Sequence, residues 1–310
     1  MQIRRYTKED KELWNGFLNE AKNSIFIFNR DYMEYHSDRF EDHSLFFYNE
    51  DKLISILPLS SCGKELFSHG GLTFGGFITK NDMKQHYMED LFACLIDYMR
   101  ENGFCSLIYK AIPHIYHKQS AEEDIYVLNK INARIMKIEA ATVVKLQDRI
   151  KMPKGRKAQI SRAKREGVIV ELSDDFESFI NLENEVLKEY HNSKAVHTGE
   201  ELKLLHEKFP EQIKLYVGKL HGEMISGTVL YINDEVVRTQ YLASNDLGRE
   251  IGALDLVISN VLDKYQDRIW FDFGKSTEGD GSILNEGLIA QKEGFGGRTH
   301  VYQTWKVETI

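Results

Sequence analysis

Apolar positions recur along this chain with two periods, and the switching between them marks out short strands and amphipathic helices. In the last third, LYVGKLHGE, ISGTVLYIND and EVVRTQYLAS alternate with period two, the spacing of half-buried strands. His221-Gly222 and Asn233-Asp234 join them as tight hairpin turns. NDLGREIGA then reads as a glycine-bearing loop. Leu254, Val257, Ile258, Val261, Leu262 and Tyr265 follow at helical spacing. RIWFDFG is expected to be a buried strand, GLIAQKEGFG a short helix, and RTHVYQTWKV part of a final strand pair.

The first half carries the same elements. TKEDKELWNGFLNEAKN predicts an opening helix with Thr7 as N-cap and acidic residues in its first turn. SLFFYNEDKLISILPLSS predicts a hairpin turning over 49–52, and KELFSHGGLTFGGFI a further strand pair. Met83, Tyr87, Met88, Leu91, Phe92, Leu95, Ile96 and Met99 define a helix stopped at Asn102-Gly103, and the strand CSLIYKAIP comes after it. The second half likewise opens with helices, in DDFESFINLENEVLKEYHN and GEELKLLHEKF. The expected architecture is therefore α/β, two copies of one unit in tandem: 1–147, a basic linker helix over 148–168, and 169–310.

Charge and composition narrow the classes. A chain of 310 residues with net charge −8 is expected to be neither a generic DNA binder nor a binder of anionic membranes. The absence of a long apolar run and the charged start MQIRRYTKEDKELW suggest a cytoplasmic protein with no membrane span or signal peptide. Cys62, Cys94 and Cys105 lack metal-ligand spacing and read as reduced thiols. His114 and His117 stand three apart with no third ligand nearby, so no metal site is expected. The one local anomaly is KMPKGRKAQISRAKR over 151–165, which has no acid. It is either a solvated helix or a phosphate-binding face carrying Arg156, Arg162 and Arg165.

Four segments together resemble the FemAB family, whose members are built from two GNAT-like (general N-acetyltransferase) domains. They are SHGGLTFGGFI (68–78), GRKAQISRAKREGVIVE (155–171), WFDFGKS (270–276) and GLIAQKEGFGG (287–297). The resemblance implies two GNAT-like acyltransferase domains and transfer of an acyl group onto an amine. Family members transfer amino acids from aminoacyl-tRNA to peptidoglycan precursors in the cell wall, and related proteins use acetyl-CoA. No long helical arm, as in the staphylococcal-type members, fits between 174 and 209. The expectation is thus a transferase moving an acyl group from acetyl-CoA or another acyl-CoA to an amino group of a small-molecule or cell-envelope-precursor acceptor. A FemAB-type aminoacyl-tRNA-dependent enzyme is one alternative, and a non-catalytic GNAT pair that only binds a ligand is another.

Candidate residues follow from that chemistry. Direct attack by an amine needs a proton acceptor, oxyanion stabilisation and leaving-group assistance, with no acyl-enzyme. Asp272 lies in an apolar strand beside Trp270 and Phe273, where a carboxylate is expected to titrate high and act as general base. Equally, it suits a structural acceptor for the backbone or Lys275. By the resemblance, Tyr241 and Ser244 end the third strand near the leaving group, and Lys292 would neutralise a phosphate or oxyanion. Gly248, Arg249, Gly252 and Ala253 fit the loop that carries a donor pyrophosphate, although Leu254 stands where a small residue is usual. In the first domain, His69, Gly70, Gly71, Gly75 and Gly76, with Tyr116 and His117, are expected to wall an acceptor site.

Overall fold

The computed structural model describes residues 1–191 and 193–309; Asn192, the last residue of the expected helix over 174–192, lies outside them. The chain divides into two compact units, Met1–Glu139 with Gly279–Ser282 and Val301–Ile310, and Ala140–Glu278 with Ile283–His300.

The first unit begins with β1 (Gln2–Arg5), α1 (Lys11–Glu20) and α2 (Arg30–Met33). Thr7 and Asp10 form a capping box before α1, as the Thr7 N-cap predicts. Five short strands follow: β2 (Glu41–Asp42), β3 (Leu45–Asn49), β4 (Lys52–Leu57), β5 (Ser60–Cys62) and β6 (Glu65–Phe67). The β3–β4 hairpin turns where expected. After β7 (Ile78–Thr79) come α3 (Gln85–Glu101), β8 (Ser106–Lys110), α4 (Glu123–Lys130) and β9 (Arg134–Lys145). Met88, Leu91, Phe92, Leu95 and Met99 of α3 bury themselves against Leu66, Leu107, Tyr109 and Trp305.

The expected strand pair over 64–78 is not formed. β6 pairs with β5 and β8, and β7 pairs with β4. His69 has φ 59° and Gly76 has φ 116°, left-handed values that interrupt an extended strand. The segment between them is a loop.

The second unit contains the basic helix α5 (Lys154–Arg165), β10 (Ile169–Ser173), α6 (Phe176–His191) and α7 (Gly199–Lys208). The three-stranded meander is β11 (Ile213–Leu220), β12 (Glu223–Ile232) and β13 (Val236–Ser244). His221 and Gly222 both take positive φ in its first turn, which is what a two-residue hairpin loop demands. Next stand α8 (Asp246–Ile251), α9 (Ala253–Lys264), β14 (Trp270–Lys275), β15 (Thr277–Glu278), β16 (Ile283–Leu284) and α10 (Glu286–Glu293); β17 (Arg298–Glu308) follows, and from Val301 on it belongs to the first unit. Leu256, Val257, Ile258, Val261 and Leu262 of α9 are buried, and the last four of that face pack on Leu230, Val237, Phe271 and Phe273.

Two local expectations are corrected here. Residues 246–251 are helical, because the Asn245 side chain caps them by accepting from Gly248 N at 2.8 Å; only Gly252, at φ 77°, breaks the chain before α9. The terminal strand pair is one eleven-residue strand, β17.

The repeat is visible in each unit as a short parallel ladder flanking a helix. β6 pairs with β8 over Glu65–Ser106, Leu66–Leu107 and Phe67–Ile108. β13 pairs with β14 over Val236–Trp270, Val237–Phe271 and Arg238–Asp272. Beyond those three pairs each couple diverges, and the two units treat the opening differently. In the first unit the loop over 68–77 fills it: Ser68 N donates to Ile108 O (2.8 Å), Lys110 N to Ser68 Oγ (2.7 Å) and Gly75 N to Lys110 O (2.8 Å). Gly75 is required there, since a Cβ would collide with the Ser68 carbonyl.

Candidate active site in the second unit

The divergence of β13 from β14 is accompanied by a bulge. Thr239 faces Leu230 and Tyr241 faces Val229, so Gln240 is the extra residue. Strict alternation would put Arg238 and Tyr241 on opposite faces. The bulge resets the count and brings both to the face that also carries Asp272, the lateral neighbour of Arg238. α9 covers the other face, and α6 lies on this one, with the Phe179 ring against Gly227.

Two polar groups sit on that face. In the first, Asp272 is fully buried and accepts from Gly274 N at 2.7 Å, and its Oδ2 lies 4.0 Å from Arg238 Nε. The buried Lys292 donates to the carbonyls of Gly274 (3.1 Å) and Lys275 (2.6 Å). Burial brings the Lys292 ammonium down to about 8; the Asp272 charge opposes that and Arg238 reinforces it. Lys275 itself is exposed, and its backbone carbonyl accepts from Lys292.

In the second group, the hydroxyl of buried Tyr241 lies 2.6 Å from His197 Nδ1 and accepts from His197 N at 3.2 Å. Burial pushes the Tyr241 phenol up to about 12, hydrogen bonding by His197 opposes this, and the charge of Glu183 adds to it. Glu183, one turn after Phe179 on α6, is 6% exposed, and its Oε2 has no hydrogen-bond partner. Desolvation alone raises its carboxyl to about 7. A carboxyl poised there can take or give a proton at neutral pH.

The segment expected to hold a donor pyrophosphate is engaged with its own chain. Ser244 is buried behind α8, and a Cβ at Gly248 would strike both Ile225 O and Ser244 Oγ. Arg249 pairs with Asp246 (2.7 Å) and Glu189 (3.8 Å). Gly252 precedes α9, and the Gln159 carbonyl of α5 stands 2.8 Å from where its Cβ would be. Ala253 is fully buried in the cluster formed by Ile160, Ala163, Ile251 and Leu256. The first turn of α9 is thus covered by α5.

The basic helix is similarly committed. Arg156 pairs with Asp255, donates to Gln291 O at 2.9 Å and lies over the Phe295 ring at 4.3 Å. Arg162 bonds the Glu250 backbone and carboxylate, and Arg165 is exposed. In the first unit, His69 and Tyr116 are buried; Gly70, Gly71, Gly75 and Gly76 belong to the loop described above, and Tyr116 packs on Phe74.

The structure therefore joins Asp272, Lys292 and Tyr241 on one face and leaves the other candidates elsewhere. It adds Arg238, Glu183 and His197, which the sequence reading did not single out. For Glu183 a signal exists: it continues the buried series Phe176, Phe179, Ile180 at helical spacing, a carboxylate on an apolar face. Among the described residues no cluster of three or more His, Cys, Asp or Glu could hold a metal ion, and no helix is long and apolar enough to cross a membrane.

Comparison with known proteins places this fold. No family model matches the sequence, and no curated protein matches it. Solved structures do. FemX aligns over 98% of this chain and 97% of its own, at TM-score 0.68 and 10% identity. L-PGS from Bacillus licheniformis aligns over 99% and 93%, at TM-score 0.65 and 14% identity. A tandem GNAT protein from the clavulanic acid biosynthesis pathway aligns over 100% and 98%, at TM-score 0.57 and 10% identity. The fold is that of the FemX and tandem GNAT proteins.

Proposed function

From a fold shared with FemX and the tandem GNAT proteins, we propose that this chain is an acyltransferase whose second unit moves an activated acyl group onto an amine. The observation that carries the reading is the buried, unpartnered Glu183 carboxyl beside the Tyr241–His197 pair. Glu183 takes the proton that the attacking amine must lose. Tyr241, protonated at neutral pH, gives its proton to the departing oxygen or sulfur, and His197 replaces it. Lys292 fixes the end of β14 through the Gly274 and Lys275 carbonyls, Arg238 lies beside Asp272, and the two supply buried positive charge near the carbonyl.

The cover that α5 lays over α9 argues against a CoA pyrophosphate resting at that helix end. We therefore assign an aminoacyl ester as the donor class, with an amine-bearing cell-envelope precursor or lipid head group as acceptor. Names such as FemX and lysylphosphatidylglycerol synthetase among the structural neighbours support that class.

The test is deacylation of a mixed aminoacyl-tRNA pool and of acetyl-CoA by purified protein, each with envelope-precursor acceptors. Acceptor-dependent deacylation of aminoacyl-tRNA, lost in Glu183→Gln, is expected. Saturable acetyl-CoA turnover lost in Arg249→Glu returns the donor to CoA. Turnover of neither donor removes the enzymatic reading and leaves a binding protein.

A further inference from the structure

The first unit contains a cavity of about 420 Å³, within the range of small-ligand sites. It lies between the end of β1 and the segment running from α2 to β2, and it takes no part in the reaction proposed above. Its floor is unusual. The Arg30 side chain is 2% exposed, yet carries a full charge beneath the cavity. Glu34 (3.2 Å) and Asp42 (2.8 Å) accept from it, and the Tyr6 ring stacks on it at 3.5 Å. Tyr6 in turn donates to Glu34 at 2.8 Å. Both carboxylates are thereby held by one guanidinium. Arg5 and Lys8 also line the cavity and add positive charge at its mouth.

His69 also lines the cavity. Its ring stacks on His36 at 5.5 Å and its Nδ1 is buried without a hydrogen-bond partner. The backbone that carries it is held at φ 59° by Lys110 Nζ and Leu72 N, both donating to His69 O. A strained backbone is kept here by bonds that aim one ring into the wall of one cavity. Burial, then His36, Lys110 and Arg30, hold the His69 imidazole down to about 3, so it is neutral and offers one donor and one acceptor nitrogen. Phe40 and Met33 supply apolar surface, and Ser37 and Thr7 supply hydroxyls.

We propose that this cavity is a binding site for a ring-sized, partly apolar polyol bearing one anionic group, a sugar acid or a sugar phosphate. The Phe40 ring and the Met33 side chain take the C–H face. The Glu34 and Asp42 carboxylates and the two hydroxyls take the ring hydroxyls. The positive charge of Arg5 and Lys8 takes the carboxylate or phosphate. The site stands whether or not the second unit transfers acyl groups.

The experiment is titration of the full chain, by calorimetry at fixed salt, with glucuronic acid, glucose 1-phosphate and neutral glucose. Saturable binding of one or both anionic sugars, with glucose at least about tenfold weaker, is expected. The arm that binds identifies carboxylate or phosphate as the anion. Lys8→Glu, an exposed change that leaves the core untouched, should weaken that binding at least about fivefold. His69→Asn, which keeps a residue tolerant of positive φ, should weaken it about tenfold or more. No saturable heat from either anionic sugar up to about 10 mM overturns the proposal. So does binding that neither variant changes, or binding of glucose equal to that of the anions.

Discussion

Replacing Glu183 with glutamine should make the protein more stable and less active at once. In the fold the carboxyl titrates at about 7, against an ordinary 4.5, because burial penalises its charged form. A difference of that size corresponds to about 3 kcal/mol. The sign follows from the proton balance. Below 4.5 both folded and unfolded states hold the proton, and Glu183 costs nothing. Between 4.5 and about 7 the unfolded chain releases its proton first, so wild-type stability falls as pH rises through that window. The substituted glutamine has no proton to lose, so this component of the pH dependence vanishes. The buried amide still lacks a partner for one polar atom, which takes back about 1 kcal/mol. The variant should therefore gain about 2 kcal/mol at pH 8 and lose about 1 kcal/mol at pH 4. Urea unfolding of both proteins across that range, with m held in comparison, reads the difference directly. Parallel pH curves for wild type and Glu183→Gln would show that Glu183 is not a neutral buried acid, and the proton acceptor proposed for the reaction would go with it.

Other outcomes are equally specific. Lys292 titrates at about 8 against an ordinary 10.5, so its contribution to stability rises as pH goes from 8 to 10.5; Lys292→Met should flatten that rise in the same unfolding series, and an unchanged slope there would place the ammonium in solvent. Arg156→Met leaves Asp255 without its partner on a packed helix and should cost about 3 kcal/mol, whereas a change below about 1 kcal/mol would mean that α5 is held on α9 by apolar packing alone. Gly75→Ala drives a methyl into the Ser68 carbonyl and should lower the thermal midpoint by several degrees; a midpoint within about a degree of wild type would show that the loop over 68–77 moves aside easily.

The elements were legible where one period dominated. The meander, α3 and α9 follow from alternation and from helical spacing, and their turns from His221-Gly222 and Asn102-Gly103. Glycine-rich stretches misled in both units. SHGGLTFGGFI alternates like a strand, but the left-handed φ of His69 and Gly76 ends it. NDLGREIGA reads as a loop, yet the Asn245 cap starts a helix within it. In the site, Asp272 could be found as a charge in an apolar strand, and Lys292 from the resemblance. Their joining to Arg238 and Tyr241 could not, because the bulge at Gln240 breaks the period-two count on which any facing argument rests. Arg156 and Arg162 show the opposite case: a run of like charge looks like a ligand surface until its acidic partners, Asp255 and Glu250, arrive from about ninety residues later in the chain.

The two parallel ladders differ in how their backbones are completed. In the first unit the amides of Ser68 and Gly75 already have carbonyl partners across the opening, so they should exchange their hydrogens slowly in the resting protein and stay slow whatever is added. In the second, the facing edges of β13 and β14 share no ladder beyond Arg238 and Asp272. A guest lying between them would act as a missing strand, so occupancy should register there as newly slowed amide exchange, with no change in the other unit. Exchange measured residue by residue thus reports which opening is in use, even before the guest is known.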